Sequence, residues 1–160
     1  MTIDFFCDLH MHSNYSDGKS NIEDLARSAI EKGLTTIAIT DHMPLPFNPW
    51  YSVDMDKIGS YRDEIHRVQK TYRHKLIILK GLEIEYVPQL SDWIKSIVDL
   101  GWDYLIASVH AIILDNTPYL INENEEEFNK TLNIVFKGDI RAFCRQYYHL
   151  VQQAASTGDR

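Results

Sequence analysis

Four apolar, strand-like runs in this chain each end on a residue that can hold a metal ion, and a helical pattern follows each of them. Residues 5 to 10 lead into His10 and His12, and Thr36-Ile37-Ala38-Ile39-Thr40 runs straight into Asp41-His42. Leu76 to Leu79 leads into Gly81-Leu82-Glu83-Ile84-Glu85, and Tyr104 to Val109 ends on His110. Strands alternating with helices over short connections predict an α/β fold with a parallel sheet and right-handed crossovers. Every one of these polar residues falls at the C-terminal end of its strand, where α/β barrels gather the side chains that do chemistry. Each signal is weak alone, but four strands delivering ligand-type residues to one sheet edge is a strong pattern.

The first run opens the candidate site. In an extended strand, residues i and i+2 point to the same face with Cα atoms roughly 6.5 to 7 Å apart, so the His10 and His12 imidazoles can converge on one ion while Met11 points away. Taken in isolation, His-x-His better fits an edge strand that carries two polar residues. Ser20 with Glu23 predicts a capping box for a helix to about Lys32, with Ile22, Leu25, Ala26, Ala29 and Ile30 on its apolar face. A loop from Leu45 to Trp50 precedes a long helix with Ile58, Tyr61, Ile65, Val68 and Tyr72 on one stripe. A third helix, around Leu90 to Leu100, is expected to bury Trp93, Ile94, Ile97 and Val98. The last helix is expected to start at an Asp139 N-cap and to bury Ile140, Phe143, Cys144, Tyr147, Leu150, Val151 and Ala154. Between them, Ala111 to Gly138 is acidic and weakly patterned. It reads as a solvated loop with one short helical turn, in preference to a lid over the site.

Composition narrows the function classes. A chain of 160 residues, 44% hydrophobic, can form one domain, residues 1–160, with a real core. It has no apolar run long enough for a membrane span and no basic-then-apolar leader, which predicts a cytoplasmic protein without a membrane partner. Cys7 and Cys144 form no paired pattern and read as buried free thiols. The net charge of −7, with no basic cluster, argues against an extended nucleic-acid partner. A small anionic substrate stays compatible, because bound divalent cations would make a pocket locally positive. His66 and His149 lie off their helices' apolar faces and His74 sits in a last helical turn, so all three read as solvent-facing. Phe47, Trp50 and Tyr51 read either as loop packing or as contacts to a ring-bearing substrate.

His10-Met11-His12 with Ser16-Asp17-Gly18, Thr40-Asp41-His42, Gly81-Leu82-Glu83 and Ser108-Val109-His110 resemble the successive motifs of the PHP (polymerase and histidinol phosphatase) superfamily. Gly81 to Tyr86 and Asp103 to His110 resemble its stand-alone histidinol-phosphatase branch. The resemblance implies the N-terminal four βα units of a distorted (β/α)7 TIM-like barrel, holding up to three divalent metals of the zinc, manganese or iron type. Carried over, His10 and His12 bind a first metal, Glu83 bridges it to a second also held by His110, and Asp17 and His42 hold a third. Asp8 and Asp41 would orient a metal-bound imidazole. The implied reaction is hydrolysis of histidinol phosphate in histidine biosynthesis, with metal-bound hydroxide attacking phosphorus and no side-chain nucleophile. Another small phosphoester or nucleotide is the alternative substrate, and a catalytically incomplete binding module the alternative role.

The family pattern continues beyond these motifs, with a strand ending in Gly-His and a later Asp-x-His. Neither occurs after His110. A closed barrel of this type runs to about 250 residues. Exposed sheet edges and an incomplete ligand set are therefore expected of the chain alone, remedied by another copy or by a further C-terminal segment.

Overall fold

The computed structural model describes residues 6–47, 49–115 and 117–157. Its central sheet has four parallel strands in the order β1-β2-β3-β4, namely β1 (Cys7–Met11), β2 (Thr36–Ile39), β3 (Ile77–Glu85) and β4 (Tyr104–Ser108). Strand order equals chain order, as successive right-handed βα units require. The chain divides into two compact units, Met1–Glu83 with Ile97–Ile106, and Ile84–Ser96 with Ala107–Arg160.

In the first unit, β2 is the buried centre: Ile37, Ala38 and Ile39 are fully excluded from solvent, as a β-branched run covered on both faces should be. Helix α1 (Ile22–Glu31) crosses from β1 to β2 and buries Ile22, Ala26 and Ala29. Its start differs from the expected capping box by one residue. Asn21, not Ser20, is the N-cap, and its side chain accepts from the Asp24 N–H at 2.8 Å, a role for which asparagine is among the best residues. Helix α2 (Ile58–Tyr72) follows a 3-10 turn at Met55–Lys57 and buries Ile58, Tyr61, Ile65 and Val68, the stripe its periodicity predicts.

Register decides where the strand ends fall. Between β1 and β2, Cys7 pairs with Thr36 and Asp8 with Ile37, yet Met11 pairs with Ile39, so β1 carries one extra residue between Asp8 and Met11. Such a bulge re-aims the side chains beyond it, here those of the His-x-His segment. Beyond β2, His42 bridges to Glu83, with the Glu83 N–H donating to the Asp41 carbonyl and the Met43 N–H to the Glu83 carbonyl. Gly81 makes the close approach possible: a Cβ there would lie 2.7 Å from the Tyr104 carbonyl oxygen and 2.9 Å from Thr40 Cγ2.

The second unit corrects the reading of residues 111–138 as a solvated loop. Ala111–Leu114 (β5) and Thr117–Leu120 (β6) form an antiparallel hairpin, and Glu125–Phe136 (α4) is a helix of three turns. The acidic run that reads as solvation is the helix's first turn: Asn124 caps the Glu127 N–H, and Glu125, Glu126 and Glu127 sit at the positive end of the dipole. The hairpin and α5 (Ile140–Thr157) enclose a small core of Val109, Ile112, Ile121 and Leu150, flanked by Tyr86, Phe136, Phe143 and Tyr147.

Asp139 caps α5 as expected, its Oδ1 accepting the N–H groups of Arg141 and Ala142 at 2.9 and 3.0 Å. The helix's buried face is narrower than its sequence suggests. Leu150 and Ala154 are buried, whereas Ile140, Cys144 and Val151 are exposed, so Cys144 is a surface thiol and Cys7 a half-buried one. Helix α3 (Ser91–Val98) likewise buries only Ile97 fully, leaving Trp93, Ile94 and Val98 half-buried. His66, His74 and His149 are exposed, as their helical positions predict. Among the described residues, no helix is long and apolar enough to cross a membrane.

Candidate metal centre

Three imidazole nitrogens meet one carboxylate oxygen at the C-terminal edge of the first unit's sheet. Glu83 Oε2 lies 3.1 Å from His10 Nε2, 3.0 Å from His12 Nε2 and 3.2 Å from His42 Nδ1. Each side chain comes from a different strand end or from the β1 extension, so the sheet's parallel order and the β1 bulge together produce the convergence. The Glu83 side chain is only 4% exposed and His10 52%, so the group has a buried acidic floor and an open histidine rim. His10 Nε2 and His12 Nε2 are themselves 3.1 Å apart, a spacing that needs a proton or a cation between two lone-pair nitrogens.

Asp17 forms the other side. Its Oδ1 lies 2.7 Å from His12 Nδ1 and its Oδ2 3.8 Å from His42 Nε2. Burial pulls the His12 imidazole down, but hydrogen bonds to Glu83 and Asp17 outweigh it and lift the ring to about 9. Burial pushes the Asp17 carboxyl up, yet His12 and His42 outweigh that and hold it below the ordinary carboxylate value. Both shifts describe carboxylates arranged to stabilise positive charge at the rings.

The loop that carries Asp17 is tightly built. Gly18 N–H donates to the Ser13 carbonyl at 3.0 Å, and a Cβ on Gly18 would fall 2.2 Å from the His12 carbonyl oxygen, so only glycine fits. Asp41, fully buried, accepts from the Ser13 N–H at 2.8 Å, the Ser13 hydroxyl at 2.9 Å and the Ser16 hydroxyl at 2.5 Å. Burial raises the Asp41 carboxyl above its ordinary value, with the two hydroxyls opposing. Asp41 therefore anchors the Ser13–Gly18 loop instead of bonding an imidazole as expected. Asp8 likewise meets backbone, its Oδ1 accepting the His10 N–H at 3.2 Å.

His110 belongs to the second unit, where it meets Glu85. Oε1 of Glu85 accepts the N–H groups of His110 and Ala111 at 2.7 and 2.9 Å. Oε2 is 3.0 Å from His110 Nδ1, within ion-pair distance but off strict hydrogen-bond alignment. Reading the sequence alone leaves Glu85 without a role, although its place two residues after Glu83 on one strand is a usable signal. Ser13 and Ser16 carry no such signal, because their partner Asp41 lies far along the chain.

The donor atoms suit a divalent cation. One ligand atom from each of His10, His12 and Glu83 falls within 4.8 Å of the others, and the same holds for His12, Asp17 and His42. Neutral imidazole and carboxylate are the donors such ions take, and a cation would satisfy the converging lone pairs that protons otherwise share. His12 stands in both groups, with its Nε2 beside Glu83 and its Nδ1 beside Asp17. Around it sit the aromatic rings of His42 and, beyond, Tyr51, 5.2 Å from His42 and nearly perpendicular.

A profile of the PHP domain matches residues 8–157. The probable histidinol-phosphatase of Deinococcus radiodurans is 30% identical, aligned over 95% of this chain and 56% of its own. Among solved structures, one from Listeria monocytogenes shares the fold with a TM-score of 0.69 at 20% identity, over 77% of this chain and 52% of that one. The histidinol phosphate phosphatase of Lactococcus lactis, solved with zinc, L-histidinol and phosphate, gives 0.59 at 25% identity over 78% and 49%. The chain spans about half the length of these relatives. With the profile matched over nearly all of its length and the histidine and carboxylate motifs at successive strand ends, the chain belongs to the PHP domain family.

Proposed function

We propose that this chain, as one PHP domain, carries the metal-binding half of a cytoplasmic phosphatase that hydrolyses histidinol phosphate to histidinol and phosphate. The observation that carries this reading is the convergence of three imidazoles on Glu83 Oε2, with Asp17 behind His12. Support comes from relatives named histidinol-phosphatase and from the Lactococcus lactis structure holding zinc, histidinol and phosphate. His10, His12 and Glu83 would hold one ion, and Asp17 and His42 another. His110 enters the set on its place in the motif series. Remaining ligands would come from a second copy of the chain or from further C-terminal sequence.

Bound zinc, manganese or iron would supply an acidified water as nucleophile and positive charge for the phosphoryl oxygens. The residues supply the rest. Glu83, buried and ringed by nitrogens, fixes where charge accumulates; Asp41 holds the loop that aims Asp17; and the open side at His10 admits a small phosphate ester. None of the side chains gathered here is a serine or cysteine placed as a nucleophile.

The test is phosphate release from histidinol phosphate by the purified chain loaded with zinc or manganese, alongside metal content by elemental analysis. Release that disappears in Glu83→Gln supports the reading. A metal-loaded chain that leaves histidinol phosphate intact but cleaves another small phosphoester would replace the substrate. Failure on every phosphoester with metal bound would make the chain a binding module.

A further inference from the structure

We propose, on the phosphatase reading above, that Trp50 is a specificity-determining residue whose exposed indole stacks on a flat ring carried by the substrate's alcohol while the phosphate ester sits at the strand-end cluster. Single exposed apolar residues are ordinary on protein surfaces and carry no message by themselves. What sets Trp50 apart is its frame, all of it within the first unit. The segment that leaves β2 comes back to the strand end it left. The Met43 N–H donates to the Glu83 carbonyl at 2.9 Å and the Val53 N–H to the His42 carbonyl at 3.1 Å. Met43, Leu45, Tyr51, Ser52 and Val53 are buried, whereas Trp50 is 72% exposed.

The turn that presents the indole is stiff. The Pro49 carbonyl accepts the Ser52 N–H at 3.0 Å and the Ser52 hydroxyl at 3.1 Å, so Trp50 and Tyr51 are the two central residues of a β-turn that opens on a proline. The two aromatic side chains then part. Tyr51 turns inward, its ring 5.2 Å from that of His42 at 71°, and Trp50 meets the Tyr51 ring at 5.9 Å and 88°. The indole therefore stands one ring beyond a candidate metal ligand and faces water. A phosphate monoester held at the cluster needs only a short carbon tether to bring its ring there. An indole offers an electron-rich face, which takes an imidazole either stacked or through its N–H edge. Because the turn already fixes the indole, little freedom is left to lose on binding.

The experiment has two arms, both on the zinc-loaded full chain. In the first, histidinol with inorganic phosphate is titrated while tryptophan fluorescence is recorded, and an aliphatic amino alcohol with phosphate serves as the ring-free comparison. Histidinol is expected to change the emission, the ring-free alcohol is not, and the change should vanish in Trp50→Phe, which still carries Trp93 and Trp102. In the second, kcat/KM is measured for histidinol phosphate and for the phosphate ester of the ring-free alcohol. The preference for histidinol phosphate is expected to fall about 2–10-fold in Trp50→Ala and to recover in Trp50→Phe. No emission change, a change that survives in Trp50→Phe, or a preference unaltered in Trp50→Ala overturns the proposal. An emission change that depends on Trp50, without phosphate release from any ester, leaves the ring subsite standing and removes the phosphatase reading. Phosphate release with no Trp50-dependent signal does the reverse.

Discussion

At the scale of single residues, Tyr61 shows how one buried polar atom organises strand ends. Its hydroxyl accepts the Asp41 N–H at 3.3 Å and lies 2.9 Å from the Gly81 carbonyl oxygen and 3.2 Å from that of Ile39. Tyr61→Phe leaves those buried backbone groups without this partner, so a loss of about 1–3 kcal/mol is expected from denaturant midpoints. Burial, then the Asp41 charge, push the Tyr61 hydroxyl well above the ordinary 10. Above pH 10 the unfolded chain ionises this group and the folded one does not, so stability falls as pH rises, and Tyr61→Phe should show a shallower fall. His12 has the corresponding sign for a base: raised from 6.5 to about 9, it contributes stability that is full below 6.5 and lost as pH rises through 9. Melting temperature against pH, with and without zinc, checks this. A bound cation would supply the positive charge that the His12 proton otherwise brings to Glu83 and Asp17, so the zinc-loaded curve should be flat where the metal-free one declines. The ligand candidates were legible because imidazole and carboxylate at strand ends declare their chemistry. Tyr61, Ser13 and Ser16 were not, because their partners become neighbours only once the strands are in register.

At the scale of elements, the outcome depended on whether a segment's signal was local. The apolar stripe of α2 follows from periodicity within one helix, and all of it is buried except Tyr72, which is half-buried. The hairpin of β5 and β6 has no such repeat and turns through Asp115 at a φ of 49°, a conformation aspartate tolerates better than most residues but does not announce. Two glycines carry the site-bearing elements. Gly81→Ala places a methyl against the Tyr104 carbonyl and Thr40, which is expected to cost about 1–3 kcal/mol as the strands part. Because the collision lies two residues before Glu83, metal affinity should fall with stability. An alanine variant with wild-type melting and wild-type affinity would mean that the strand spacing at Gly81 does not set the site.

At the scale of the whole molecule, five of the six candidate ligands lie in one compact unit and His110 in the other. His10, His12, Asp17, His42 and Glu83 all lie in the first unit, while the hairpin, α4 and α5 lie in the second. The βα order of the sheet was legible because each strand and each helix carries its own local pattern. A metal that binds the folded chain and not the unfolded one stabilises it by mass action, about 2.7 kcal/mol at a free ion concentration a hundred times its dissociation constant. At roughly 2–4 °C per kcal/mol for a chain of this size, chelation should lower the melting temperature by about 5–11 °C. Hydrogen exchange locates the effect. If the ion sits on the strand-end cluster, chelation should speed exchange first at residues 10–18, 40–43 and 81–83, the backbone that fixes the ligands, and leave the amides of α5 close to their metal-loaded rates. Acceleration confined to the second unit instead would place the stabilising ion away from Glu83 and leave the three converging imidazoles as a hydrogen-bonded cluster held by protons.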